Sequence, residues 1–136
     1  LRPILIRRGI LGATRDLVVS PQHGILVNGF QLVRAKHLAQ HLPGVRVAHG
    51  KRRVNYTHIL FDAHQIVFSN GTPSESFYPG PMALKTLNDT AFNTLCQQLP
   101  QLRLCRLGKR TTVQAYGPRA RDLVKWREVQ VQVRYA

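Results

Sequence analysis

Two Asn-Gly pairs constrain this chain more than any other feature. Asn28-Gly29 separates the apolar run Gly24–Val27 from Phe30–Ala35, and Asn70-Gly71 follows the run that ends at Phe68. Asparagine and glycine both tolerate positive φ, which a tight turn between right-twisted strands requires, so Asn28-Gly29 predicts a β-hairpin and Asn70-Gly71 marks another turn. Further short apolar runs, Ile4–Ile6 and Leu17–Val19, read as strands. Gly9 and Gly12 punctuate the first of them, and Pro21 and Gly24 follow the second. The segment Val54–Phe68 is expected to be the longest strand. Ile59, Phe61 and Ala63 would lie on one face and His58, Leu60, Asp62 and His64 on the other. After His64 the apolar set changes parity to Ile66 and Phe68, which places a bulge or bend near Ala63–Gln65.

Beyond residue 80 the pattern changes. Ala35–Leu42 already predicts a short helix, stopped by Pro43-Gly44, and residues 45–53 a basic loop or hairpin. Met82–Leu87 then allows one helical turn. Thr90–Leu99 carries Ala91, Phe92, Leu95, Cys96 and Leu99 at helical spacing, with Asp89 as the expected N-cap. Pro118 is placed to open another helix through Trp126. Val129, Val131, Val133 and Tyr135 alternate with polar residues and predict a terminal strand, with a continuation of that helix as the rival. The chain is thus expected to be mostly β over residues 1–80, with a small mixed α/β extension over residues 81–136. At 136 residues and 43% hydrophobic content it has enough apolar material for a core.

The net charge is +14, and it is unevenly spread. Residues 1–53 hold ten Lys and Arg against Asp16. Residues 54–102 hold Lys85 against Asp62, Glu75 and Asp89. Residues 103–136 hold nine against Asp122 and Glu128. Such flanks suit nucleic acid or an anionic partner. No zinc-finger spacing, RNP aromatic pattern or recognition helix accompanies them, so a solvated basic surface is the preferred reading and a nucleic-acid partner is not favoured. No apolar run reaches the roughly 20 residues that a membrane helix needs. Cys96 and Cys105 form no CxxC and read as two buried thiols rather than a disulfide.

Candidate chemistry sits in a few places. Ser20 and His23 lie three residues apart on the bend between two strands, where a hydroxyl and an imidazole can address one peptide group. His58, Asp62 and His64 share a strand face, and two imidazoles with a carboxylate would suit zinc or iron if the strand bent. Nothing else supplies a metal cluster, so these are read as hydrogen-bonded polar residues, with no metal and no cofactor expected. A hydrolytic triad can be written from Ser20, His23 and Asp62, or from Ser74 and Ser76 with any histidine. No Gly-x-Ser-x-Gly elbow surrounds these serines.

Ser20-Pro21-Gln22-His23-Gly24-Ile25-Leu26-Val27 resembles the Thr-x-x-His block of the Hint (hedgehog/intein) self-processing domains. The stretch from Val54 through Tyr56, His58 and His64 to Asn70-Gly71 is similar to their late block, in which a Tyr-led strand runs into a histidine and then Asn-Gly. Arg15-Asp16-Leu17, Ala35-Lys36-His37-Leu38, Ser74-Glu75-Ser76-Phe77 and Tyr116-Gly117-Pro118 extend the likeness, which is to the bacterial hedgehog/intein-type group. The resemblance implies a horseshoe of antiparallel strands and autoprocessing of the domain's own upstream polypeptide. A Cys or Ser at the domain's first position would attack the upstream carbonyl, Ser20 would take the hydroxyl role and His23 the acid–base role. Whether His58, Asp62 or His64 supplies a further acid–base group stays open. The family's opening nucleophile block has no counterpart here, so the chain is expected to be an N-terminally truncated portion of the domain, inert alone. The late block does not end in His-Asn, which favours hedgehog-like N-terminal cleavage over splicing. A catalytically silent basic module that binds nucleic acid or an acidic partner is the alternative.

Overall fold

The computed structural model describes residues 2–50 and 54–130. In chain order the elements are β1 (Ile4–Ile6), β2 (Leu17–Val19), β3 (Gly24–Val27), β4 (Gln31–Arg34), α1 (Ala35–His41), β5 (Val45–Val47), β6 (Ile66–Ser69), β7 (Thr72–Glu75), α2 (Pro81–Thr86), α3 (Asp89–Gln98), α4 (Leu102–Arg106), α5 (Thr112–Ala115) and β8 (Asp122–Leu123). A 3-10 turn follows at Trp126–Glu128. Two sheets result: β2-β1-β5, antiparallel throughout, and β6-β7-β3-β4-β8, antiparallel except for the parallel pair β4–β8. The fold is mostly β with a small helical extension.

Both Asn-Gly pairs make the turns that their chemistry dictates. Asn70 and Gly71 have φ of 48° and 86°, and Ser69 pairs directly with Thr72. Asn28 and Gly29 have φ of 47° and 86°, and Phe30 extends the loop so that Val27 faces Gln31. The Asn28 carboxamide oxygen accepts from the Phe30 and Gln31 amides, which holds that extra residue in place.

The hairpin of β6 and β7 is fastened to the first sheet through its turn. Thr14 N and Oγ1 both donate to the Asn70 carbonyl, at 2.8 and 3.0 Å. Asn70 Nδ2 donates to the Asp16 carbonyl at 3.0 Å, and Arg15 Nε to Asn70 Oδ1 at 3.3 Å. The two backbones approach so closely that a Cβ on Gly71 would lie 2.6 Å from the Gly12 carbonyl oxygen.

The principal core lies between the sheets and α1. Ile4, Ile6, Val19, Ile25, Val27, Val33, Leu38 and Val45 are buried together, and Val124, Trp126 and Val129 close over them. A second core unites α2–α5 through Leu84, Phe92, Cys96, Leu102 and Tyr116, with Leu60 and Tyr78 packed against it. The run of helices α2–α5 begins at Pro81, yet residues 122–129 return to the first core.

Several expectations are corrected. Residues 54–65 form no strand; β6 begins only at Ile66. Their carbonyls are satisfied singly: Ile59 O by Phe77 N, Phe61 O by the Tyr116 hydroxyl and Gln65 O by Ser76 N. Ile59 and Phe61, assigned to an apolar face, are exposed. The bend falls at Asp62–Ala63. No helix runs from Pro118 to Trp126, because the backbone donors go elsewhere. Ala120 N serves His64, Val124 N serves the Leu32 carbonyl, and Asp122–Leu123 pair with β4. Asn88, not Asp89, caps α3, its side chain accepting from Ala91 N at 2.8 Å. Val45–Val47, within the stretch expected to be a basic loop or hairpin, is the strand β5, paired with β1. The terminal alternation of Val131, Val133 and Tyr135 lies outside the described residues, and Val129 stands in no strand.

Replacing Gly71 by alanine is expected to lower unfolding stability by about 1–3 kcal/mol, from positive-φ strain and the clash with the Gly12 carbonyl. Urea denaturation measures it. An unchanged midpoint would mean that the turn is not docked as described.

Candidate functional site

The bend between β2 and β3 is held from both sides. His23 N donates to the Ser20 carbonyl at 3.1 Å, and Gln22 N to Ser20 Oγ at 3.3 Å. The first amides of a helix have no partner within it, and Arg34, at the N-cap of α1, offers no side-chain acceptor. The bend supplies them: Ala35 N donates to the His23 carbonyl at 2.8 Å and Lys36 N to the Pro21 carbonyl at 2.9 Å. Helix α1 and the bend therefore satisfy one another, which explains why Ala35-Lys36 follows β4 without a capping residue.

The His23 side chain is half-buried, and its Nε2 is buried without a hydrogen-bond partner among the described residues. Burial pushes the imidazole below its ordinary 6.5; the Glu75 carboxylate works against this, and His58 adds to it. A neutral imidazole with an unoccupied ring nitrogen can accept a proton and pass it on. Ser20 is half-buried at the same bend. Its oxygen accepts from Gln22, which leaves its O–H to donate.

Glu75 ends β7 beside this bend and is buried. Its Oε2 accepts from Gly24 N at 2.6 Å. Its Oε1 accepts from His64 Nε2 at 3.1 Å and from Arg119 Nη1 at 2.9 Å. Burial raises this carboxyl, but the His64 hydrogen bond and the charges of Arg119, His23 and His64 outweigh it and hold it below the ordinary 4.5. A Cβ at position 24 would sit 2.9 Å from the Glu75 carboxyl carbon, so a larger residue there would displace the carboxylate. Arg119 is itself stacked over the Tyr78 ring, 4.3 Å from its centroid. An open groove lined by Tyr78, Pro118, Arg119, Asp122, Leu123 and Val124 runs beside the guanidinium.

The candidates fall in different places. His64 is buried, with Nε2 on Glu75 and Nδ1 accepting from Ala120 N at 2.7 Å, so one neutral tautomer satisfies both nitrogens. His58 packs against Phe77, ring centroids 4.7 Å apart; burial lowers it, and its charge acts on His23. Asp62 is exposed, and its charge acts on Tyr116. His64 is thus bonded to Glu75, His23 lies in the field of its charge, His58 acts on His23, and Ser20 shares the bend with His23. Ser74 is fully buried in β7, with its hydroxyl unpartnered, and Ser76 Oγ accepts from Gln65 N at 2.9 Å. Among the described residues no three His, Cys, Asp or Glu side chains converge to hold a metal ion. Cys96 and Cys105 are free thiols of the helical core, both pushed up by burial.

The sequence reading missed Glu75 and Arg119 as site residues. Glu75 is the one acid in a run of otherwise uncharged residues from Ala63 to Leu84, which is a signal of sorts. Arg119 is one of nine basic residues after position 102 and carried none.

The sequence pattern of the family described as Hint domain matches residues 1–81 of the chain. No curated protein matches it, and no solved structure does. Among the described residues, no helix is long and apolar enough to cross a membrane.

Because His23 and Glu75 both titrate below their ordinary values, the unfolded chain binds more protons than the folded one as pH falls. Stability is expected to be full above pH 6.5, to decline below it as unfolded His23 protonates, and to decline again below 4.5 from Glu75. Each group contributes at most about 1.4 kcal/mol per pH unit. Melting temperatures of wild type and Glu75→Gln between pH 7.5 and 3.5 check this, the lower step being absent from the variant.

Proposed function

This chain belongs to the Hint domain family, and on that premise we propose that it carries the acid–base part of a self-processing site that cleaves its parent polypeptide at the domain's N-terminal boundary. The observation that carries the reading is the His23 imidazole, its Nε2 buried and without a partner among the described residues, on a bend whose backbone is fixed on both sides.

In this reading the attacking thiol or hydroxyl comes from a Cys or Ser outside the 136 residues. Cys96 and Cys105 belong to the helical core and are not candidates. Neutral His23 takes the proton of the attacking group, whose sulfur or oxygen forms a bond to the upstream carbonyl carbon. The carbon–nitrogen bond breaks as the imidazolium returns that proton to the leaving nitrogen, giving a thioester or ester in place of the amide. Water or a thiol then releases the upstream segment. The Ser20 hydroxyl donates to the developing oxyanion. A lowered imidazole serves both halves of the cycle: it is in the basic form near neutrality and becomes a strong acid once protonated. Burial, with a smaller contribution from His58, keeps His23 from holding the proton. His64, saturated by Glu75 and Ala120, supports the site rather than transferring a proton, and Asp62 has no part. Residues 1–80 form the processing core and 81–136 an extension that contributes Arg119.

The test is thiol-stimulated cleavage of the full-length parent polypeptide, followed by gel and mass spectrometry. His23→Ala is expected to slow it by about 10²–10⁴-fold, the usual contribution of a positioned acid–base group. Ser20→Ala should slow it less, and Ser20→Thr should retain most of the rate. In wild type the rate should fall on acidification below pH 6.5, as His23 takes up a proton, and level off above it. Undiminished cleavage by His23→Ala would overturn the reading.

A further inference from the structure

The reaction needs the imidazole in one orientation, and His23 Nε2 has no hydrogen bond among the described residues to fix it. What fixes it must act through the backbone. The peptide that joins His23 to Gly24 is held at its nitrogen by Glu75 Oε2 at 2.6 Å, a charge-assisted bond across 51 residues of chain. The other carboxylate oxygen is held in turn by His64 and Arg119, which come from two further segments.

We infer that Glu75 is the positioning residue of the site: its carboxylate clamps the His23–Gly24 peptide to the His64–Arg119 pair and so sets the place of the His23 imidazole. The inference rests on the reading of His23 as the acid–base group. Three features support it. Gly24 has no Cβ, and any would collide with the carboxylate, so the sequence at that position is shaped to the clamp. The carboxylate is buried yet every near contact is a donor, so it stays ionised. Helix α1 fixes the opposite side of the same residue, its Ala35 amide donating to the His23 carbonyl, so the clamp completes a cradle already begun. The charged and titratable groups acting on His23 are Glu75 from β7 and His58 from the irregular segment. Those acting on Glu75 are His64, Arg119 and His23.

NMR on the 136-residue chain and cleavage of the parent polypeptide test the inference together. In wild type the Gly24 amide proton should resonate far downfield at neutral pH. It should move upfield by more than 1 ppm as Glu75 protonates, below pH 4.5. This measurement needs no variant, so a misfolded Glu75→Gln does not remove the test. In Glu75→Gln the His23 titration midpoint should fall, because the carboxylate that favours imidazolium is gone, and cleavage should slow at least tenfold. Glu75→Asp keeps the charge but is one methylene too short to span Gly24 and the His64–Arg119 pair. It should keep most of the midpoint while losing the downfield Gly24 signal and the rate. A Gly24 amide indifferent to Glu75 ionisation, or a Glu75→Asp that cleaves at the wild-type rate, overturns the clamp. If wild type shows the Gly24 shift but the parent never cleaves, the self-processing reading fails and the clamp stands.

Discussion

A buried carboxylate is costly unless donors take up both of its oxygens. Glu75 meets that demand with an amide from β3, an imidazole from the segment before β6 and a guanidinium from the C-terminal piece. Four parts of the chain that share no element are thereby drawn to one point. The rest of the site follows from satisfying this one charge. The His64 tautomer is dictated by it, the glycine at position 24 makes room for it, and the Arg119 guanidinium, stacked on Tyr78, offsets it.

The same accounting of donors explains the irregular regions. Residues 54–65 have the composition of a strand but not its pairing. Their carbonyls accept from Phe77, Ser76 and Tyr116 one at a time, and the chain wraps the helical core with Leu60 instead of extending a sheet. Residues 118–124 follow the same logic. The Ala120 and Val124 amides are claimed by His64 and Leu32, which leaves no ladder for a helix.

Much of the fold was legible in the sequence where local chemistry decides it. The Asn-Gly turns, the strands Ile4–Ile6 and Leu17–Val19, and the helix after Ala35 depend on neighbours within a few residues, and each stands where the pattern placed it. The Hint likeness, carried by several motifs in order, was legible as well. The long strand to Phe68 and the helix after Pro118 were misread because alternation and a helix-opening proline describe what a segment can do alone, whereas distant donors settled both. The site was half legible. Ser20 and His23 stood out by spacing. Glu75 and Arg119 did not, since their significance lies in partners 44 to 51 residues away that no local pattern records.

That long reach bears on when the site comes into being. The contacts that define it join Gly24 to Glu75, His64 to Ala120 and Glu75 to Arg119, separations of 51, 56 and 44 residues. Contacts so far apart in sequence close only after most of the chain has been ordered, because each encloses a large loop. The docking of Asn70 on Thr14, 56 residues away, must be in place as well. A partly folded chain therefore has Ser20 and His23 but no cradle to hold them. On the self-processing reading proposed above, bond-breaking capacity would arrive only with that cradle, so a polypeptide built this way would be protected from cutting itself while it is still being made.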